Sequence, residues 1–476
     1  MSEILAEIFE FIARHWEVID LLLVAVGLVI YVTASHSLNQ KRHPSAAVAW
    51  VVGILLLPYL TLPLYLLFGS RKVVAPRLCQ RKPGGGIISS VANSTAGRSQ
   101  LLCSAMGLPE PASYRDLSIH DDGAQALAAL WRVIDSAEST LEISTFLVGR
   151  DALGEAMAER LKARARAGVK VRLLIDGIGV YIGGYPDLSG LAEAGVEVVR
   201  FVPPFRSPKR GRTNLRNHRK LVIADGARLW CGGRNLAAEY FGADPRALLG
   251  RRHWIDLSFD LSGELAGQAL HQFEYDWAFA TERPGGELCV SGLTAFVDSG
   301  HAQLVDSGPD RTDDTIFTLL VSGCFTAQRR ILAVTPYFVP DPSLMTALTL
   351  AARRGVAVDL VLPARSNHRM ADFARHRSLR ELVADGGRVW LHPHMIHAKA
   401  VLIDDDFALV GSANLDGRSL FLNYELMVAF YDPVAVREFA AWVERRRQES
   451  ALYVARSPGI VRELAEGLIL WLAFQL

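Results

Sequence analysis

Two long apolar runs open the chain. Val18–Ala34 (VIDLLLVAVGLVIYVTA) and Ala46–Gly69 (AAVAWVVGILLLPYLTLPLYLLFG) flank a short polar SHSLNQKRHPS. The second is long enough to cross a hydrocarbon core about 30 Å thick and the first just reaches that length, so the pattern predicts a transmembrane helical hairpin over residues 1–69. Pro58 and Pro63 interrupt the second run, which membrane helices tolerate where neighbours satisfy the freed carbonyls. A signal peptide does not fit, because Glu3, Glu7 and Glu10 precede a lone Arg14 where a positive n-region belongs.

Beyond the hairpin the pattern changes. Residues 70–115 read as a juxtamembrane linker, rich at first in Gly, Ser, Pro and basic residues (KPGGG). Arg71, Lys72, Arg77, Arg81 and Lys82 follow the second run, against Lys41 and Arg42 between the runs. That bias places the large C-terminal portion on the cytoplasmic side. Helical and strand periods then alternate twice in the same order. AQALAALWRVIDSA, TLEISTFLV, GEAMAERLKARARAG and VKVRLLIDG are answered by DDTIFTLLVSGCFTAQ, RRILAVTPYFV, SLMTALTLAARRG and VAVDLVLPA. The alternation predicts parallel strands covered by helices, in two similar α/β halves over 116–300 and 301–476.

Each half ends in a related segment. HRKLVIADGARLWCGGRN begins at His218 and HAKAVLIDDDFALVGSAN at His397. Both follow the spacing H-x-K-x4-D-x6-G-[GS]-x-N. Apolar residues around Asp225-Gly226 and around Asp404 predict β-hairpins with those aspartates at the turns, in structural roles. Residues two apart on a strand share a face, so His218 points with Lys220 and His397 with Lys399. The glycines let backbone approach a ligand, and the Asn235 and Asn414 amides can donate to an oxyanion. Facing each other, the two copies would surround one phosphate with two imidazoles, two ammoniums and two amides.

Composition narrows the choice of chemistry. The 476 residues carry a net charge of +1, so no overall basic bias points to nucleic acid. Cys79, Cys103, Cys231, Cys289 and Cys324 are scattered and never paired as C-x-x-C, which excludes a zinc site and a disulfide framework and predicts inert core thiols. His392-Pro-His394 and Asp404–Asp406 do not make a metal site, since consecutive strand residues diverge. No P-loop or dinucleotide fingerprint is present, and no metal or other cofactor is expected.

The doubled motif resembles the phospholipase D superfamily with its paired HKD sequences. TPYFVPD (Thr335–Asp341), GSANLDGRSLFLNYE (Gly411–Glu425) and FGSRK after the second apolar run are similar to the bacterial cardiolipin synthases. The likeness covers nearly the whole chain. GGRN in the first copy departs from the commoner Gly-Ser pair, at the expense of one hydroxyl donor. The basic insertion RSPKRGRTNLR, from Arg206 to Arg216, is either an exposed loop or a collector of anionic lipid.

The resemblance implies two tandem sandwich halves sharing one site. It implies phosphatidyl transfer between two phosphatidylglycerols, giving cardiolipin and glycerol through a phosphohistidine. His218 would be the nucleophile and His397 the acid, with the reverse order left open by the residues themselves. Asp225 and Asp404 belong to the family signature. Lys220, Lys399, Asn235, Asn414 and Ser412 would hold the phosphate, and Asp256 and Glu425 would orient the imidazoles. Anionic phospholipids and the bacterial inner membrane are the implied partners, with no nucleic acid; the oligomeric state is not legible. A hydrolase using water as acceptor shares every catalytic residue, phosphatidylethanolamine is a rival donor, and a superfamily nuclease is less compatible with the apolar runs. The C-terminal GLILWLAFQL is too short to span and reads as a core helix or an interfacial segment.

Overall fold

The strand runs of both halves join edge to edge in a single sheet. In a computed structural model of the chain, residues 2–37, 44–69, 94–184, 188–203, 214–242, 254–282, 300–311, 313–463 and 466–467 are described. At the middle of a fifteen-stranded sheet, Ala112–His120 pairs antiparallel with Gly300–Ser307. Outward from the first of these lie Ser258–Ser262, Arg228–Gly232, Leu221–Ala224, Thr140–Thr145, Lys170–Asp176 and Glu197–Phe201. Outward from the second lie Glu425–Phe430, Phe407–Gly411, Ala400–Ile403, Arg330–Val334, Ala357–Pro363, Arg388–His392 and a short edge strand, Ala451–Leu452. The two orders mirror each other, which is the sequence duplication expressed as topology.

The sheet is mixed rather than parallel throughout. Thr140–Thr145, Lys170–Asp176 and Glu197–Phe201 run parallel, as do their three counterparts. The motif hairpins Leu221–Gly232 and Ala400–Gly411 are antiparallel, because a turn of three residues cannot return a strand any other way. Their strands read as unbroken apolar runs because both faces are covered. Leu221 and Ile223 enter one core and Val222 and Ala224 another. Helices Glu264–Thr281 and Pro433–Gln448 pack on the face common to both halves, where Phe259, Phe430 and Phe439 meet with centroids 4.8–5.7 Å apart. Separate helices cover the other face of each half.

Both motif aspartates sit at the hairpin turns in the left-handed region, φ +53° at Asp225 and +54° at Asp404, a conformation short polar side chains tolerate. Each carboxylate gathers backbone N–H groups at the start of the neighbouring strand. Asp225 accepts from Glu138, Ser139 and Thr140 at 2.7–2.9 Å. Asp404 accepts from Gln328, Arg329 and Arg330 at 2.7–3.2 Å, and from the Thr95 hydroxyl at 3.0 Å. Asp405 pairs with Arg329 and Arg330, and Asp406 accepts from the Ala96 amide, so the acidic run is spent on the protein itself.

Thr95 belongs to a helix, Thr95–Ala105, inside the stretch expected as linker. Its apolar residues form no stripe readable from sequence; it is fixed by the Ser94 cap and by these polar contacts with the second half. Residues 70–93 lie outside the described residues, as do Cys79, Cys289, most of the basic insertion (204–213) and the C-terminal 468–476. Cys103, Cys231 and Cys324 are buried free thiols, each pushed up to about 12 by burial and so unreactive as nucleophiles.

In the N-terminal module His15–Thr33 forms a helix long and apolar enough to cross a bilayer, with mean hydropathy 2.0. The second apolar run, expected as one span, is two helices, Pro44–Leu56 and Pro58–Phe68. Leu57 leaves helical geometry (φ −141°, ψ 60°), since the ring of Pro58 disfavours it in the residue before. Pro63 does not break the third helix. Tyr31, Ile54 and Tyr65 pack together and join the three segments.

Asp404→Ala is expected to cost more stability than Asp225→Ala, about 2–3 against about 1 kcal/mol, because the donors around buried Asp404 are left without water. Unfolding midpoints of the two variants in detergent check this; equal losses would contradict it.

Candidate functional site

The residues around each imidazole are fixed by strand pairing between the halves. The His218 amide donates to the Tyr424 carbonyl and the Tyr424 amide to the Arg216 carbonyl, both at 2.9 Å. Reciprocally, the His397 amide donates to the Ile255 carbonyl at 2.6 Å, and Met395–Ile396 pairs in parallel with Trp254–Ile255. Each histidine is thereby laid beside the acid-bearing strand of the opposite half. His397 Nδ1 lies 2.6 Å from Asp256 Oδ2, and His218 Nδ1 lies 3.4 Å from Glu425 Oε1. The two orienting acids named from sequence are crossed: each serves the histidine of the other motif.

Both motifs open into one cleft of about 670 Å³, lined by His218, Lys220, Asn235, His397, Lys399 and Asn414. The Nδ1 contacts turn both Nε2 atoms away from the carboxylates. His218 remains 23 % exposed, with its ring against the edge of Phe146 at 4.4 Å. His397 is 9 % exposed, enclosed by Tyr240 and Trp254 at 5.1 and 5.5 Å. Asn235 Nδ2 meets the Tyr240 hydroxyl at 2.8 Å and Asn414 Nδ2 meets the Ser419 hydroxyl at 3.2 Å, while both Oδ1 atoms lack a partner among the described residues. Hydroxyls donate or accept, so either amide can turn over and aim its N–H groups into the cleft.

The Ser412 hydroxyl does not face the cleft as a free donor. It donates to Glu425 Oε2 at 2.5 Å and so braces the partner of His218. The first copy has Gly233 in its place, and a Cβ there would meet Asp256 Oδ1 at 2.2 Å. The shorter aspartate fills the space of the missing serine and takes its second hydrogen bond from the Leu257 amide at 2.7 Å. The departure of GGRN from the Gly-Ser pattern therefore has a steric cause.

Burial and charge set the protonation of the site. Burial pulls His218 down, against the pull of Glu425. His397 falls to about 4, through burial and then through Lys399, whose Nζ is 3.0 Å from His397 Nε2; Asp256 opposes the shift. Lys399 is itself pulled down to about 7 by burial, assisted by Lys220, which burial also lowers. Burial would raise Asp256 and Glu425, yet the facing lysines and imidazoles outweigh it; Asp256 lies at about 2. The lysines of the unliganded cleft are held below their ordinary values, and an anion between them would restore their charge.

Several residues of the site carry no readable signal in the sequence. Arg219, between His218 and Lys220, is fully buried and ties the halves together. It pairs with Asp276 and donates to the carbonyls of Ser307 and Glu425 at 3.0 and 3.1 Å. Asp176 accepts from the Asn217 amide at 2.8 Å and from Arg216 at 3.2 Å, fixing the approach to His218; Arg216 is thus a buried strut rather than part of an exposed loop. Asn423 donates to Glu425 Oε1 at 3.2 Å. His392 and His394 bond each other and Glu449, and no group of three metal-ligating side chains occurs among the described residues.

Residues 130–277 and 325–447 match the family profile described as cardiolipin synthase, PLD-like domain, and residues 21–70 match a phospholipase D-nuclease N-terminal profile. Cardiolipin synthase A of Pseudomonas aeruginosa PAO1 is 32 % identical over 467 residues, 94 % of each chain. Cardiolipin synthase A of Pseudomonas putida W619 is 30 % identical over 436 residues, 88 % of this chain and 89 % of that one. Among solved structures, phosphatidylserine synthase of Haemophilus influenzae Rd KW20 superposes with TM-score 0.57 at 13 % identity, over 80 % of this chain and 99 % of that one, a likeness of fold.

Anion binding is expected to take up protons. With Lys399 near 7 in the empty cleft, a bound tetrahedral anion restores its charge. Sulfate, which does not titrate here, should therefore bind about tenfold more weakly per pH unit above 7, with an uptake that approaches one proton there and falls towards zero as pH drops below it. Titration calorimetry in buffers of different ionisation enthalpy measures the proton count; a count of zero at pH 8 would contradict the assignment.

Proposed function

The chain belongs to the family of cardiolipin synthases with phospholipase D-like domains, and on that premise we propose that it transfers a phosphatidyl group between two phosphatidylglycerols, giving cardiolipin and glycerol. The carrying observation is the single cleft lined by both His-x-Lys-Asn sets, each imidazole backed by a carboxylate from the opposite half.

In this reading His218 Nε2 attacks the phosphorus of the first lipid. Its greater exposure and its place beside Glu425, with Nε2 free, suit a neutral nucleophile. The bond to the glycerol oxygen breaks as His397 gives that oxygen a proton. His397 is neutral in the empty cleft, but a bound phosphodiester offsets Lys220 and Lys399 and favours the imidazolium beside Asp256. The hydroxyl of a second phosphatidylglycerol then attacks the phosphohistidine, returns its proton to His397, and the P–N bond breaks. Lys220, Lys399, Asn235 and Asn414 hold the non-bridging oxygens throughout. One phosphodiester replaces another, so no nucleotide is consumed. Asp225 and Asp404 act as turn-holding residues, and Ser412 acts through Glu425.

The N-terminal module fits a membrane enzyme whose substrate lies in the bilayer. Helix His15–Thr33, with the two helices packed on it, forms a re-entrant or two-span anchor in this proposal, and the basic residues after Gly69 favour a cytoplasmic catalytic portion.

The test uses the full chain with labelled phosphatidylglycerol and with a phosphatidyl ester of p-nitrophenol, a leaving group that needs no acid. His218→Ala should lose turnover of both by more than about a thousandfold. His397→Ala and Asp256→Asn should lose phosphatidylglycerol turnover yet keep the p-nitrophenol burst, whereas Glu425→Gln should slow that burst. A His397→Ala variant lacking the burst would reverse the assigned roles, and phosphatidic acid as main product of the unaltered chain would make the enzyme a hydrolase.

A further inference from the structure

The mouth of the cleft is apolar and exposed on both sides. Tyr181 and Ile182 are each 64 % exposed and Met370 is 56 % exposed. Ile182 and Met370 line the cleft itself, from opposite halves. They lie on equivalent connections: helix Gly179–Gly183 follows strand Lys170–Asp176, and Met370 lies in the first turn of helix Arg369–Ala384, which follows Ala357–Pro363. Such side chains left in water at the entrance of a reaction site mark a surface that is covered in use.

Charge says what covers it. Arg150 is exposed and its amide donates to the Gly183 carbonyl at 2.9 Å, beside Tyr181 and Ile182. Arg365 and Arg369 are exposed and precede Met370 in sequence, Arg369 immediately. Asp372, the acid in the first turn of that helix, is engaged by Arg375 at 3.2 Å and by the Ser366 amide at 2.8 Å. Glu239 and Asp341 also line the cleft, and Asp341 is occupied as the cap of its helix, accepting from the Ser343 amide at 2.8 Å. Exposed apolar side chains with exposed arginines beside them are the composition of a surface that seats on anionic lipid. The cleft volume of about 670 Å³ is that of a small-ligand site, so the acyl chains of a phospholipid must stay outside it.

We propose that the cleft mouth is a bilayer-docking surface. Tyr181, Ile182 and Met370 enter the interfacial layer and Arg150, Arg365 and Arg369 meet headgroup phosphates. A lipid headgroup then reaches the imidazoles while its tails remain in the membrane. The proposal rests on the lipid substrate of the preceding section and adds the face that meets the bilayer.

Two measurements on the full chain test it. Tyr181→Cys carrying an environment-sensitive fluorophore should show blue-shifted emission in vesicles containing phosphatidylglycerol and a smaller shift in phosphatidylcholine alone. Emission that is unchanged, or that follows protein concentration rather than lipid, overturns the proposal, the latter in favour of a second copy of the chain. The double variant Tyr181→Ser, Arg369→Glu should lose about tenfold in turnover of phosphatidylglycerol in vesicles, with turnover of monodisperse short-chain phosphatidylglycerol unchanged. Glutamate at the first position of a helix is compatible with its dipole, so folding is preserved. Equal loss on both substrates, or loss on neither, overturns the docking role. If the unaltered chain makes no cardiolipin from either substrate, the function reading fails, and the fluorescence still decides whether the mouth meets lipid.

Discussion

Each imidazole is held by a carboxylate that its own half does not supply. Asp256 reaches His397 and Glu425 reaches His218, and the backbone bonds of His218 to Tyr424 and of His397 to Ile255 bring the acids into reach. Neither half contains a complete site. The continuous sheet, the aromatic contact of Phe259 with Phe430 and Phe439, and the buried Arg219 are what keep the two halves in the one relative position that serves both histidines. A small slip between them would lengthen both carboxylate contacts together, so the packing between the halves and the chemistry share one constraint.

Duplication gave two similar half-sites, and small asymmetries make them unequal. The first copy has Gly233 with the shorter Asp256; the second has Ser412 with the longer Glu425. Arg219 stands between His218 and Lys220, where the second copy has buried Ala398. Tyr240 and Trp254 enclose His397, whereas His218 faces a more open part of the cleft. These differences separate two chemically identical groups into a more accessible imidazole and a more desolvated one beside a lysine. The two roles of the proposed exchange would require that separation.

The electrostatics follow from the same crowding. Two buried lysines, each held down by burial, share the cleft with two imidazoles and with the carboxylates of Asp256 and Glu425, and an added anion would favour the charged form of each lysine. In the proposed exchange, binding of a phosphodiester would return charge to the lowered lysines and turn the Asn235 and Asn414 amides toward it. The N-terminal helices and the apolar rim of the cleft fit a substrate that never leaves the membrane.

What the sequence determined was local or periodic. The alternation of helix and strand, the two H-x-K hairpins and the aspartates at their turns depend on neighbours within a few residues, and all were legible there. Asp256 and Glu425 were legible as a pair of acids, but their crossing was not, since His397 and Asp256 are 141 residues apart and only the packed sheet brings them to 2.6 Å. Arg219, between His218 and Lys220, carried no signal in the sequence and is a buried strut joining both halves. The helix Thr95–Ala105 carries no apolar stripe and is held by its contacts with Asp404 and Asp406 and by Ala96, Leu102 and Cys103 packed on the core of the second half. Tertiary structure alone decided which acid serves which histidine, because hydrogen bonds between distant segments depend on the positions of whole strands, and no spacing along the chain encodes those positions.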